Sequence, residues 1–149
     1  AEDGAALQDA GITATLNVAV NISPAPLALP DGTQIRRYQI GMLDGAGNAP
    51  QTLTAAVQLL DGLAATYTQG KPHYPSHHRG GLLVHCRGGR SRSVTVLALW
   101  LHLRFTTEYP TLEAALAYLR SLRGLSQTYP LPPMIALAKD AAALTQLPK

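Results

Sequence analysis

The stretch Val84–Leu101, VHCRGGRSRSVTVLALWL, contains the only cysteine of the chain. Two glycines and three arginines occur within the six residues after Cys86, and a run of apolar residues follows them. The preceding GLLVH (81–85) is short and apolar, which predicts a buried strand, whereas the longer run from Ser93 predicts a helix. A strand that leads through a glycine-rich turn into a helix is typical of α/β domains.

Strands and helices alternate along the rest of the chain as well. A short N-terminal helix is predicted to end at Gly11. The predicted strands are 13–20, 35–40 and 81–85, and the later predicted helices are one that begins near Thr52 and those at 93–105, 111–123 and 132–147. Because helical crossovers connect parallel strands, we predict a single α/β domain over residues 1–149. Its central, mostly parallel sheet should have about four to five strands and be flanked by helices.

Composition limits the class of protein. With 149 residues, 46% of them hydrophobic, the chain can form one domain with a sizeable core. The net charge of only +3 does not indicate nucleic-acid binding, and no apolar run approaches the roughly 20 residues of a transmembrane segment. One cysteine excludes an internal disulfide and fits a reducing compartment. No signal-peptide pattern is visible, although the sequence begins at Ala1 rather than Met, and we expect a cytoplasmic monomer.

The turn after Cys86 has the composition of an anion-binding site. Gly88 and Gly89 allow successive backbone N–H groups to point into one concavity, and the N-terminus of the following helix adds its free N–H groups. Arg92 can offer its planar fork to a tetrahedral oxyanion. In such surroundings the thiol should ionise below its ordinary pKa of about 8.5 and act as a nucleophile at neutral pH.

All residues of this turn are candidate phosphate ligands. They are Arg87, Gly88, Gly89, Arg90, Ser91 and Arg92. Phosphate chemistry on a thiolate requires neither a metal nor a cofactor, and we predict none. His73, His77 and His78 lie on a loop before the third strand, but their spacing is poor for zinc and no cysteine or carboxylate is near them in the sequence. We interpret them as part of a solvated loop at the opposite edge of the sheet from Cys86.

The segment His85–Ser93, HCRGGRSRS, resembles the HCxxGxxR[ST] signature of cysteine-dependent protein tyrosine phosphatases. The length of the chain is similar to that of the dual-specificity branch of that family. LQDAGITATLNVAV (7–20) resembles the opening helix and strand, IGMLDGAGN (40–48) the general-acid loop, and TLEAALAYLRSLR (111–123) the helix after the nucleophile helix. The resemblance implies a dual-specificity phosphatase-like fold and leaves open whether a short strand precedes Ala1.

The resemblance also implies a role for each candidate residue. Cys86 would attack phosphorus to form a phosphocysteine, while Arg92 and the loop amides hold the equatorial oxygens. Asp44 would protonate the leaving oxygen and then accept a proton from the hydrolytic water. Ser93 would donate a hydrogen bond to the departing thiolate, and His85 would brace the loop and help to lower the thiol pKa.

Several of these assignments have simpler alternatives. Asp44 could merely begin a turn, since Asp-Gly pairs often do, and Asp31 is the reserve candidate for the acid. Ser93 could be a plain helix N-cap as well as a ligand of the thiolate. The Pro-Asn motif that family members carry before the last helix is absent from YPLPPM (129–134), so its part in orienting the loop would fall to Gln127 or Ser126.

The predicted activity is that of a dual-specificity protein phosphatase on phosphotyrosine and phosphoserine or phosphothreonine, so the partner would be a phosphorylated protein. Arg87 and Arg90 leave an alternative open, because two extra cations at the rim suit a polyanionic lipid such as a phosphoinositide or phosphatidylglycerophosphate. Both side chains could equally be solvated. Two further alternatives are a phosphate-binding pseudophosphatase and a rhodanese-like sulfurtransferase, but the presence of Cys86, Arg92 and Asp44 together favours a phosphatase.

Overall fold

The computed structural model describes residues 1–149 and contains five helices and three strands. In chain order they are α1 (Gly4–Asp9), β1 (Ile12–Ala19), β2 (Arg36–Met42), α2 (Pro50–Ala65), β3 (Gly81–His85), α3 (Arg92–Arg104), α4 (Leu112–Arg123) and α5 (Pro132–Leu144). None of these helices is long and apolar enough to cross a lipid bilayer.

The sheet has the order β2-β1-β3, and both pairs of strands are parallel. Ala14 in the middle strand is in register with Arg36 on one side and Leu82 on the other. The predicted fold, one α/β domain with a parallel sheet flanked by helices, is therefore confirmed. The sheet has three strands, at the three predicted segments, rather than four to five, and the chain before β2 adds only an isolated antiparallel bridge between Ala28 and Gln34.

Most element boundaries lie within two residues of the prediction, and the largest difference is at the end of the chain. We predicted that the last helix reaches Leu147, but α5 ends at Leu144. The backbone of Thr145 is extended, and its hydroxyl donates to the carbonyl of Ala141 over 2.7 Å. A side chain that bonds back to the preceding turn in this way satisfies one of the free carbonyls at the helix end.

Apolar side chains pack on both faces of the sheet. Leu82 and Val84 of β3 contact the main core, which lies between the sheet and helices α2 to α5. Leu83, which points the other way, contacts a smaller cluster that includes Leu7 of α1. α3 is the central helix of the larger layer, because it packs against α2, α4 and α5.

The parallel sheet brings three loops to one edge. Because all strands run in the same direction, the chain leaves β1, β2 and β3 at the same, carboxyl edge of the sheet. The loop after β1 is shaped by the fully buried Asn17, whose Nδ2 donates to the carbonyls of Ala19 and Ile22. Residues that are far apart in the sequence therefore meet around the segment that follows β3.

Candidate active site

Cys86 follows the last residue of β3, and only 7% of its surface is exposed. The chain turns back at Gly89, whose φ of +67° lies in the left-handed region that favours glycine. The amide nitrogen of Gly89 lies 3.3 Å from the sulfur and donates to it. Since α3 begins shortly afterwards at Arg92, the loop holds the sulfur between a strand end and a helix N-terminus.

The thiol of Cys86 is surrounded by groups that stabilise its charged form. Ser93 Oγ lies 3.3 Å from Sγ. Burial raises the pKa of the thiol, but the hydrogen bonds from Ser93 and Gly89 and the charge of Arg92 outweigh it, so that the pKa of Cys86 is lowered from its ordinary value. The structure thus has the low-pKa thiol that the sequence pattern predicted.

Arg92 is held in place by residues from two other loops. Only 5% of its surface is exposed, and its Nη1 donates to Oδ1 of Asn21 over 2.8 Å and to the carbonyl of Met42 over 3.0 Å. The remaining guanidinium donors, Nε and Nη2, are free for an oxyanion. Sequence analysis missed Asn21, although its position just after β1, at the ligand-binding edge of a parallel sheet, was a usable signal.

Asp44 lies on the loop after β2, is exposed to solvent and lines the same cleft as Cys86. Asn48 fixes this loop, because its Oδ1 accepts from the N–H of Leu43 over 2.8 Å and its Nδ2 donates to the Leu43 carbonyl over 2.7 Å. Both backbone groups of Leu43, the residue before Asp44, are therefore hydrogen-bonded to the side chain of Asn48. Asn48 was also missed, since an asparagine in a glycine-rich loop is ordinarily a turn residue.

Asp31, the reserve candidate for the acid, lies before β2 and hence at the amino edge of the sheet. Its Oδ1 accepts from the N–H of Thr33 over 2.9 Å and from the Thr33 hydroxyl over 2.6 Å. Asp31 therefore stabilises a turn and is not brought to the cleft.

The histidine loop also lies at the amino edge. Both ring nitrogens of His77 are hydrogen-bonded: Nδ1 lies 3.1 Å from the hydroxyl of Tyr67, and Nε2 lies 2.9 Å from the carbonyl oxygen of Thr13. Burial lowers the pKa of His77. Our interpretation of a solvated loop is thus wrong for this residue, which is half-buried and ties the loop to β1. No group of three or more His, Cys, Asp or Glu side chains is arranged to hold a metal ion.

His85 lies beneath the loop rather than in the cleft. Its Nδ1 is 3.4 Å from the carbonyl oxygen of Cys86, a long contact, and its Nε2 is buried without a hydrogen-bond partner. Burial, more than any other influence, lowers the pKa of His85. The ring contacts the backbone of the loop and not the thiol itself.

Ser91 ties the loop to the segment before α5. Its hydroxyl oxygen accepts from the N–H of Leu131 over 3.1 Å. The sequence predicted that Gln127 or Ser126 would orient the loop, but both side chains are exposed. The hydroxyl oxygen of Ser126 instead accepts a hydrogen bond from the N–H of Thr128. Ser91 also occupies the N-cap position of α3, so the alternative that Ser93 is a plain N-cap is wrong.

The cleft at this edge has a volume of about 610 Å³. It is lined by Val20, Asn21, Leu43, Asp44, Cys86, Arg87, Gly88, Arg90, Ser91, Arg92, Tyr129 and Leu131. The lining thus includes all predicted site residues except His85, Gly89 and Ser93, of which Gly89 and Ser93 contact the sulfur of Cys86. Asp44 is the only acidic residue of the lining, so cations dominate the charge around the sulfur.

Comparison with known proteins gives the same result for the fold. Human DUSP28 superposes with a TM-score of 0.65 at 19% identity, over 93% of this chain and 82% of that one. A mouse putative dual specificity phosphatase, complexed with zinc tungstate, superposes with a TM-score of 0.61 at 23% identity, over 97% and 80%. The human tyrosine phosphatase-like serine/threonine/tyrosine-interacting protein superposes with a TM-score of 0.64 at 18% identity, over 93% of this chain and 82% of that one. No curated protein sequence matches the chain.

A family model agrees with the signature around Cys86. The model described as "Swiss Army Knife protein, DSP-PTPase phosphatase domain" (PTP-SAK) matches residues 1–129, which is most of the chain and includes the thiol, its loop and the loop of Asp44. The low identity of the solved structures shows the fold alone, but the family match extends to the sequence. The chain therefore belongs to the PTP-SAK family of dual-specificity-type cysteine phosphatase domains.

Proposed function

We propose that this phosphatase domain hydrolyses phosphomonoesters through a phosphocysteine on Cys86, and that its substrates are phosphotyrosine and phosphoserine or phosphothreonine in proteins. The observation that carries the proposal is the pair of hydrogen bonds to Sγ, from Ser93 and Gly89, at the base of a cationic cleft. Hydrogen bonds of this kind stabilise a thiolate, which is a nucleophile, and the arginines around it attract a phosphate ester.

In the first step Sγ of Cys86 attacks phosphorus, the S–P bond forms and the ester P–O bond breaks. The loop amides and the free donors of Arg92 bind the equatorial oxygens, whose charge is spread in the transition state. Asp44 gives its proton to the leaving oxygen. Its position on a loop that Asn48 fixes, in the lining of the same cleft as Cys86, supports this role.

In the second step a water attacks the phosphocysteine and the S–P bond breaks. Asp44, now a carboxylate, accepts the proton of the water, and inorganic phosphate is released. The leaving group is the thiolate, and the hydroxyl of Ser93 at 3.3 Å stabilises it as it forms. The same hydrogen bond therefore serves both the attack and the departure of the sulfur.

A specific observation favours a second candidate function. Arg87 and Arg90 line the cleft, are exposed and form no ion pair with an acidic residue. Unpaired cations at the mouth suit a polyanionic lipid such as a phosphoinositide or phosphatidylglycerophosphate. The family match argues against a sulfurtransferase, and the presence of Cys86, Arg92 and Asp44 argues against a pseudophosphatase. The proposal includes a cytoplasmic monomer, and the single unpaired thiol is consistent with a reducing compartment.

Phosphate release from a matched panel tests the proposal. The panel contains phosphotyrosine and phosphoserine peptides, phosphatidylglycerophosphate and phosphoinositides, each with the wild type and with Cys86→Ser. Acid quenching of the wild type during turnover, followed by mass spectrometry, should find a phosphate on Cys86. We expect hydrolysis of both classes of peptide and none by the variant.

The panel also separates the two candidate functions. Strong preference for the lipids would replace the protein substrate with the second candidate. A wild type that is inactive on every compound, or a Cys86→Ser variant that retains activity, would contradict the catalytic proposal itself.

A further inference from the structure

One arginine of the cleft is held in a fixed position without any acidic partner. The guanidinium of Arg90 lies over the ring of Tyr129, with its central carbon 4.7 Å from the ring centroid. A methyl group placed on Gly88 would be 3.3 Å from Nε of Arg90, so the side chain folds back over the loop at the mouth of the cleft. The stacking orders the side chain but leaves the N–H groups at the edge of its planar fork free.

Tyr129, the ring on which Arg90 stacks, belongs to a segment that is hydrogen-bonded to the catalytic loop. The carbonyl of Tyr129 accepts from Nε of Arg120 over 2.7 Å, and the N–H of Leu131 donates to the hydroxyl of Ser91 over 3.1 Å. Tyr129 is therefore held at its own carbonyl and, two residues further along the chain, through Leu131. Because Ser91 belongs to the same loop as Cys86, Arg90 keeps a fixed relation to the nucleophile.

Three other arginines bind to oxygen atoms of the chain itself. Arg37 pairs with Glu2, Arg104 pairs with Asp61, and Arg120 bonds to a carbonyl. Arg90 has only the ring, and Arg123 adds positive charge next to it, because a methyl group on Gly89 would lie 2.9 Å from Arg123 Nη2. An ordered cation whose donors are unused, with a second cation nearby, is arranged for an anion from outside the chain.

The scissile phosphate is not that anion. Its oxygens are accounted for by the loop amides and by Arg92, whose guanidinium is held by Asn21 and the carbonyl of Met42. We propose that Arg90, stacked on Tyr129, forms a second anion subsite that binds a further phosphate of the substrate, close to the one that is hydrolysed. This subsite thus favours phosphomonoesters in which a second phosphate lies close to the scissile one over the singly phosphorylated residues of the proposed protein substrates. The inference rests on the proposed function for the reaction, but the binding site is independent of it.

The test compares matched aryl phosphates. The ortho, meta and para tolyl phosphates are each compared with the same compound carrying a phosphonate on its methyl carbon, which supplies a second dianion that cannot be hydrolysed. For at least one isomer we expect kcat/KM to be about tenfold higher with the phosphonate, as is typical of a charge-assisted hydrogen bond. The preference should decrease as ionic strength rises.

Variants of Arg90 and Tyr129 test whether the preference for the phosphonate compound depends on this subsite. Arg90→Gln should reduce the ratio of the two kcat/KM values to about one, Arg90→Lys should retain part of it, and Tyr129→Leu should lower it by removing the platform. Arg79→Gln is the matched control, since Arg79 is also exposed and free of ion pairs but precedes β3 at the opposite edge of the sheet. The control should keep the full ratio.

Binding to Cys86→Ser separates this inference from the proposed function. If the wild type hydrolyses none of these compounds but Cys86→Ser binds the phosphonate compounds more tightly in an Arg90-dependent manner, the subsite stands and the proposed reaction is wrong. A ratio near one for every isomer, or a ratio that Arg90→Gln leaves unchanged, overturns the subsite.

Two natural sources of a second phosphate are distinguished in the same assay. They are soluble inositol bisphosphates and the corresponding head groups in phosphatidylcholine vesicles. Arg90-dependent activity on either supports the subsite and identifies its source, whereas equal activity of wild type and Arg90→Gln on both would contradict it.

Discussion

Asn21 and Arg92 are joined by a hydrogen bond of 2.8 Å although 71 positions separate them in the sequence. The bond uses one guanidinium nitrogen of a side chain that lines the cleft, and it leaves Nε and Nη2 without a partner in the chain. We therefore predict that Asn21, which follows a different strand, positions Arg92 for phosphate binding.

Replacing this acceptor should weaken phosphate binding. In Asn21→Leu, Arg92 keeps only the Met42 carbonyl as a partner, so its guanidinium becomes mobile and we expect kcat/KM to fall about tenfold. Inhibition by vanadate should weaken in parallel. Asn21→Asp, which keeps an acceptor, should lose much less. Equal losses in the two variants would contradict a positioning role, and thermal unfolding should change little because Asn21 is exposed.

Ser93→Ala should make the thiol a weaker acid. The variant loses the side-chain hydrogen bond that, after the opposing effect of burial, contributes most to the low pKa of Cys86. The pH at which iodoacetamide alkylates Cys86 at half its maximal rate should therefore move upward, and kcat should fall about tenfold. Ser121→Ala, on the exposed surface of α4, is the control. An unchanged alkylation profile would mean that Ser93 does not stabilise the thiolate.

Asp44→Asn should remove the proton donor. We expect kcat to fall about a hundredfold or more on phosphoserine peptides, whose leaving group needs a proton, and much less on para-nitrophenyl phosphate, whose leaving group does not. Asp31→Asn should behave like the wild type, because Asp31 stabilises a turn at the other edge of the sheet. An equal loss on both substrates would argue against acid catalysis.

Asp61→Asn should lower stability in a pH-dependent way. The carboxylate joins α2 to α3, with Arg104 Nε 2.8 Å and Trp100 Nε1 3.0 Å from Oδ1. The hydrogen bonds from Arg104, more than any other influence and despite burial, lower the pKa of Asp61. Because the folded pKa is lowered, the stabilisation is fully present above the unfolded value of about 3.9 and is lost as the pH falls through the folded value.

Urea denaturation measures this effect. At neutral pH the free energy of unfolding of Asp61→Asn should be about 2–3 kcal/mol below that of the wild type, and the difference should narrow below about pH 4. Asp140→Asn, at an exposed position of α5, should differ little from the wild type at any pH. A constant difference across the pH range would show that the carboxylate charge is not what stabilises the pair.

Much of the site could be predicted because it is contiguous. The segment from His85 to Ser93 contains the proposed nucleophile, the glycine turn and the arginine, and local backbone rules are enough to predict that such a segment binds an anion. The order of strands and helices likewise predicted the α/β fold. The number of strands was overestimated, because whether a segment joins a sheet depends on a free edge and on packing, which no local pattern encodes.

The sequence by itself determined the class of the fold and was enough to predict a reactive thiol at Cys86, since both depend on residues that are neighbours in the chain. Only the tertiary structure decided which of two Asp-Gly pairs reaches the cleft, that Asn21 holds Arg92, and that Tyr129 supports Arg90. The physical reason is that parallel strands gather distant loops at one edge of a sheet, and the contacts made there depend on distances in space rather than on separation along the chain.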